Sequence, residues 1–508
     1  MKKFLVIVSL LACSLNLGAQ TLGKDARYCN PLPMVMGDGG NASGDVSVFE
    51  WEGKYYMFCT GGGAWVSEDM LNWDFHYVAN VPVAPDVVPY KGKFYMTGNG
   101  VRGVWVADNP LGPYELSGTW VNLPGIEGGW TSPFDTHIYI DDDGQPYLFW
   151  PGMAISGIHS VKLNPNNLNE WVGPVTHHFS FNPKHIWERQ GEHNEYSDVA
   201  WIEGPWVYKY KGTYYLQYSG SGTQWRSYAE GYYKAKKVEG PYTYAGNNPL
   251  LRRTTGVVTG PAHGSMVTGP DGNIWQFYTI VLRSGGRRIG MDRVIVDKKG
   301  NLTCEVTDTP QWAPGVVKDP TKGDTGSIII SEGKVAASVF GGPDNRAASS
   351  SMPGRDAVYA VDDNTSTWWS PDPNDLRPTL TLNLSAQEGQ DRTQIFQVDG
   401  LRILFGGGSN RGFSGSSVAT PVYKYKLDVS IDGKTWTNVV DQSANKVSRN
   451  TVFDEIVPTE CRYVRLTMLD WPKSSPLSIL DMTVFGRPTS YFPNVNPIAP
   501  VLDMSNRD

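Results

Sequence analysis

The chain has 508 residues, with 44 Lys plus Arg against 51 Asp plus Glu and a formal net charge of −7. A mildly acidic chain is poorly suited to clamping phosphate backbones, which excludes nucleic acid as the main partner. Charged residues are only 19%, and the deficit goes to 56 Gly, 35 Pro, 18 Trp, 26 Tyr and 17 Phe. This balance of turn formers and strand formers excludes a helical bundle and a disordered chain, and points to an all-β protein.

Lys2 and Lys3 precede an apolar run from Phe4 to Ala12, and the small pair Gly18-Ala19 precedes Gln20. The pattern predicts a secretory signal peptide over 1–20. Cleavage before Cys13 with lipid attachment there is the alternative, since Leu11-Ala12 precedes it. Either way the protein is expected outside the cytoplasm: periplasmic, outer-membrane-associated or extracellular. No later apolar run reaches about 18 residues, so no transmembrane helix is expected. Cys29, Cys59, Cys304 and Cys461 have no metal-ligand spacing and read as free thiols.

From 21 to 322 one phrase recurs: a turn glycine followed by an aromatic strand. It appears at Gly53-Lys54-Tyr55-Tyr56, Gly92-Lys93-Phe94-Tyr95, Gly144-Gln145-Pro146-Tyr147, Gly212-Thr213-Tyr214-Tyr215 and Gly272-Asn273-Ile274-Trp275. The glycines are 39, 52, 68 and 60 residues apart, the length of a four-stranded blade with its loops. Five such units predict a five-bladed β-propeller. Its inner strands line a central channel, so residues at matched positions before each turn form a ring. Counting back gives Asp45, Asp86, Asp135, Glu203 and His263. Carboxylates crowded at one end of a channel shift one another's pKa values, which is a property of functional sites. Two carboxylates with separated pKa values are what glycoside hydrolysis needs. Calcium, held through oxygen ligands, is the competing use of the same cluster. Asp141, Asp142 and Asp143 read as turn residues. Trp65, Trp130, Trp201, Trp206 and Trp225 are candidates for stacking on sugar faces, with Trp130 and Trp225 preferred because they lie in loops.

Asp319-Pro320-Thr321-Lys322 reads as a linker. Over 323–487 the blade phrase is gone and strands persist, including Tyr425 to Ile431 before the turn Asp432-Gly433. This predicts a compact β-sandwich, with a proline-bearing tail over 488–508.

The phrases Ser43-Gly44-Asp45-Val46, Ala84-Pro85-Asp86, Phe134-Asp135, Ile202-Glu203-Gly204-Pro205 and Ala262-His263-Gly264-Ser265 together resemble glycoside hydrolase family 43. The resemblance implies an inverting glycosidase on a five-bladed propeller. It implies activity on arabinofuranosides, β-xylosides, arabinans or galactofuranosides, with a plant polysaccharide or oligosaccharide as substrate. By motif, Asp45 would be the general base, Glu203 the general acid and Asp135 the residue that raises the Glu203 pKa. Asp86 is the reserve candidate for the base, because Val46 departs from the family's usual Ala-Asp-Pro context. His263 would lie in the channel near sugar or calcium. An arginine at 287 or 288 would approach the sugar hydroxyls, with Arg288 preferred because it precedes Ile289-Gly290-Met291. No cofactor is required for the chemistry.

The stretches Val361-Asp362-Asp363-Asn364, Ser430-Ile431-Asp432-Gly433 and Arg462-Tyr463-Val464-Arg465 resemble the discoidin, or coagulation factor 5/8 type C, fold of carbohydrate-binding module family 32. That resemblance implies a jelly-roll sandwich that either holds glycan or serves only as a packing domain, and a structural calcium with Asp362, Thr367 and Asp481 as candidate ligands.

Overall fold

The computed structural model describes residues 26–489, apart from 38–42, 122–132, 283–285, 316–324, 336–346, 386–393, 407–420 and residue 474. The expected signal peptide, Cys13, Trp130, the linker at 319–322 and nearly all of the tail lie outside the described residues.

Five four-stranded antiparallel sheets follow one another along the chain. Their inner strands are Ser47–Trp51, Val83–Tyr90, His137–Ile140, Glu203–Tyr210 and Ala262–Thr268. These neighbour one another in cyclic order, the fifth returning to the first. The protein is therefore a five-bladed propeller in which every blade is one continuous segment. The turn glycines behave as their sequence context requires. Glu52-Gly53, Lys91-Gly92 and Lys211-Gly212 are two-residue hairpin turns with positive φ at both positions. The turns before Pro146 and Ile274 are longer, five residues each.

Aromatic-rich cores fill the spaces between adjacent blades. Val46, Val48, Ile289 and Met291 join the first and fifth blades, and Tyr147, Phe149, Val207 and Tyr214 join the third and fourth. Phe58, Phe149 and Phe277 hold matched places on second strands and are fully buried. Burial of each contributes about 1.5–3 kcal/mol.

The C-terminal domain is a sandwich of two four-stranded antiparallel sheets. One contains Ile328–Ile329, Ser478–Pro488, Phe396–Gly406 and Thr451–Cys461, and the other Thr379–Asn383, Tyr463–Asp470, Lys424–Ser430 and Thr437–Asp441. Trp369 and Leu401 lie in its core at 0% exposure. The domain docks on the propeller: Leu404 and Leu480 enter the core of the fourth and fifth blades. Arg402, fully buried, donates to the carbonyls of Asn30 at 2.6 Å and Asp308 at 2.8 Å. No described helix is long and apolar enough to cross a membrane.

Candidate active site

A residue of positive φ stands near the start of each inner strand: Asp45 (52°), Ala84 (47°), Asp135 (42°), Gly204 (58°) and His263 (44°). Left-handed backbone costs a non-glycine residue about 1 kcal/mol, and such strain collects at functional sites. Neighbouring second strands hold these residues in place. Thr60 accepts the Ala84 N–H at 2.8 Å, Asn99 that of Asp135 at 2.5 Å, Ser219 that of His263 at 2.9 Å, and Thr279 that of Asp45 at 2.8 Å.

This geometry brings Asp45, Asp135, Glu203 and His263 together at the start of the inner strands. Asp45 Oδ1 accepts from Arg287 Nη1 at 2.8 Å and lies 3.1 Å from His263 Nδ1. Asp45 Oδ2 accepts from Thr60 Oγ1 at 2.6 Å. Asp135 Oδ1 accepts from Asn99 Nδ2 at 2.9 Å, and its Oδ2 is 4.0 Å from His263 Nδ1. Glu203 Oε1 accepts from the Tyr228 hydroxyl at 2.8 Å.

The electrostatics divide these acids. Burial alone would push Asp45 up, but Arg287 and His263 outweigh it and hold the carboxyl well below the usual range. Burial and the adjacent charge of Asp135 push Glu203 up to about 7. Burial also pushes Asp135 up, against the pull of His263. His263 is pushed up to about 9, because Asp45 and Asp135 override the effect of burial. At neutral pH the cluster therefore offers an ionised Asp45 and a glutamic acid that keeps much of its proton.

Two expected residues lie elsewhere. Asp86 is not at the ring position, which Ala84 occupies. It points into the lower channel, where it accepts from Ile138 N at 2.7 Å and meets His137 Nδ1 at 3.2 Å. It ties the second blade to the third and lines a cavity of about 620 Å³ toward the turn end of the strands, away from Asp45. Arg288 is the second. Strand alternation sends Arg287 to Asp45 and Arg288 to the C-terminal domain, where it meets Thr451 at 3.2 Å. Among the tryptophans, Trp65 is buried within its blade. Trp201 meets Phe134 edge-on, and Trp206 stacks on His137. Trp225 meets Tyr196 edge-on at 6.2 Å, in the loop that also carries Thr223 and Tyr228. Asp141 accepts from Lys209 and Tyr214 between the third and fourth blades, a turn role. Thr60, Asn99 and Tyr228 went unnoticed in the sequence, although each sets the charge state of an acid.

Asp135, Glu203 and His263 are the described residues whose donor atoms converge, within 4.8 Å of one another. The two carboxylates are oxygen donors of the kind calcium takes, and an ion there would draw the rest of its six to eight ligands from water. In the sandwich, the Thr367 hydroxyl donates to Asp362 Oδ2 at 2.7 Å within one turn. Asp481 lies 3.9 Å from the Arg402 guanidinium, which supplies a cation of the protein's own. Burial pushes Asp481 up to about 6, and the nearby charge of Asp362 adds to the rise.

A half-buried proton donor beside an ionised carboxylate is the equipment of glycoside cleavage, here carried at one end of a five-bladed propeller channel. The sequence model described as "Glycosyl hydrolases family 43" matches residues 41–301, just over half of the chain, and the chain belongs to this family. An F5/8 type C domain matches residues 345–481. The β-D-galactofuranosidase of Aspergillus niger is 29% identical over 249 residues, covering 43% of this chain and 64% of the relative. The arabinoxylan arabinofuranohydrolase of Bacillus subtilis is 28% identical over 217 residues, covering 36% and 40%. The chain thus spans less than two thirds of the length of these relatives. A solved thermostable family-43 glycoside hydrolase aligns at 27% identity over 56% of this chain and 99% of that one, with a TM-score of 0.47.

Proposed function

We propose that the protein is an inverting exo-glycosidase that removes single sugars from side chains of plant polysaccharides, with α-L-arabinofuranoside as the first substrate. The observation that carries this reading is the opposed protonation of Glu203 and Asp45 in one cluster at the channel end. In the proposed reaction Asp45 takes a proton from water. The water oxygen bonds to the anomeric carbon from the face opposite the leaving group. Glu203 gives its proton to the glycosidic oxygen as that C–O bond breaks. The charge of Asp135 keeps Glu203 protonated, while Arg287 and His263 keep Asp45 ionised. The names of the two relatives support furanosides, and the Aspergillus enzyme favours β-D-galactofuranoside as a second reading of the same site. A β-xyloside is the third member of the test set. Export and glycan binding by the C-terminal domain belong to the same proposal.

The test is residues 21–508 against nitrophenyl α-L-arabinofuranoside, β-D-xyloside and β-D-galactofuranoside, with Glu203→Ala as control. Release of one sugar, lost in the variant, supports the reading and names the glycone. Proton NMR should show the inverted anomer first, and early appearance of the retained anomer would reject the mechanism. Silence on every substrate with glycan binding intact would leave a binding protein.

A further inference from the structure

Arg287 and Arg288 are consecutive on the strand Gly286–Val296, so their side chains leave on opposite faces. Arg287 holds Asp45 Oδ1 at 2.8 Å and reaches Thr223 Oγ1 at 3.4 Å. Arg288 is 5% exposed and enters the sandwich. Its Nε donates to Thr451 Oγ1 at 3.2 Å and its Nη2 to the Phe405 carbonyl at 3.4 Å. Its third contact returns to its own strand, where Nη1 donates to the Arg287 carbonyl at 2.9 Å. All three partners are neutral oxygens. Among the described residues this guanidinium has no counter-charge, which is costly for a buried cation, and burial pulls it down to about 10. Methionine would fill the same space without that cost. What the guanidinium adds is directed donors, two of them aimed at the other domain and one at the peptide that bears Arg287. A further bond from Met36 N to the Ser448 carbonyl, at 2.8 Å, ties the same part of the sandwich to the segment that precedes the first blade.

We propose that Arg288 is a positioning residue and the C-terminal sandwich a brace for the active site: Thr451 and Phe405 fix Arg288, Arg288 fixes the Arg287 peptide, and Arg287 holds the Asp45 carboxylate. The inference rests on the reading of Asp45 as the base. Asp45 is faced by Arg287 and His263 from the fifth blade, Asp135 from the third, Glu203 and Tyr228 from the fourth, and Cys59 from the first. Loosening Arg287 leaves the carboxylate buried among other acids with one cation fewer. Its pKa then rises, and the acid limb of the pH–rate profile moves to higher pH.

The experiment measures kcat and KM against pH for the full chain on a nitrophenyl glycoside that the wild type cleaves. Arg288→Met and Thr451→Val should both move the acid limb upward and lower kcat/KM by about ten- to a hundredfold, mostly through kcat. Thr451→Ser, which keeps the hydroxyl, should match the wild type, and Arg288→Lys should recover part of the loss. An acid limb unmoved in Thr451→Val would overturn the brace, whatever the change in Tm, and this variant decides the matter if Arg288→Met does not fold. A wild type that cleaves no glycoside would instead sink the underlying assignment of the base, so the two failures are distinguishable.

Discussion

Glu203 and Asp45 share one cluster, and what faces each decides its proton. Glu203 sees burial and a neighbouring carboxylate, whereas Asp45 sees a guanidinium and an imidazolium. Because the donor must carry its proton, kcat/KM is expected to fall as pH rises through about 7. Because the base must be ionised, the acid limb should lie below the usual carboxylate range. A profile flat through neutral pH would remove Glu203 from its role. Glu203→Gln should lower kcat about 10²–10⁴-fold on glycosides with poor leaving groups, and less on nitrophenyl substrates. Tyr228 donates to Glu203 and pulls its pKa down, so Tyr228→Phe should move the basic limb upward. At this scale the acids were legible, because each stands in a distinctive phrase. Choosing between Arg287 and Arg288 needed strand parity. Arg287 shares a face with Ile289 and Met291, which pack against the blade bearing Asp45.

Among the elements, the repeated unit is larger than the turn phrase. Thr60, Asn99, Ser219 and Thr279 each lie seven residues after a turn glycine, and each catches the backbone of the next blade. The fifth such position is Pro151, whose next blade carries Gly204 in place of a side-chain-bearing residue. Thr279→Val leaves the Asp45 N–H buried without its acceptor and should cost about 1–3 kcal/mol in urea denaturation. Gly204→Ala should abolish activity even if the chain folds. Its φ is +58°, and an added Cβ would meet the His263 ring at 2.7 Å. Assay of the folded variant checks this. The same scale explains why Asp86 misled. The turns are two residues long in the first, second and fourth blades and five in the others, and bulges shift the pairing before them. Asp86 lies six residues before its glycine whereas Asp45 lies eight before Gly53, and the same count of eight before Gly92 falls on Ala84.

For the whole molecule, the two domains exchange buried arginines. Arg288 leaves the propeller, and Arg402 enters it to meet the carbonyls of Asn30 and Asp308. Two domains joined in this way should unfold together. Calorimetry of the full chain is expected to give one transition, and Arg402→Met should split it in two. Two transitions already in the wild type would show that the domains are energetically independent. The change of texture near residue 320 was enough to divide the chain. The interface was not legible, because its partners lie about a hundred residues or more apart and no local pattern marks an arginine for burial.

The blades run in order, and no strand is exchanged between the first and the fifth. The ring is closed where Asp45 binds Thr279 and where Val46 N meets the His263 carbonyl at 3.3 Å. The cluster of Asp45, His263 and Arg287 thus lies across the seam of the propeller. Asp45 is among the first residues of the ring to be synthesised, and His263 and Arg287 are among the last. On the proposed assignment of Asp45 as base, turnover would begin only when the final blade has docked, and any breathing that parts the seam would extinguish it while five intact sheets remain. Under that proposal, activity would itself be the signal that the circle is complete.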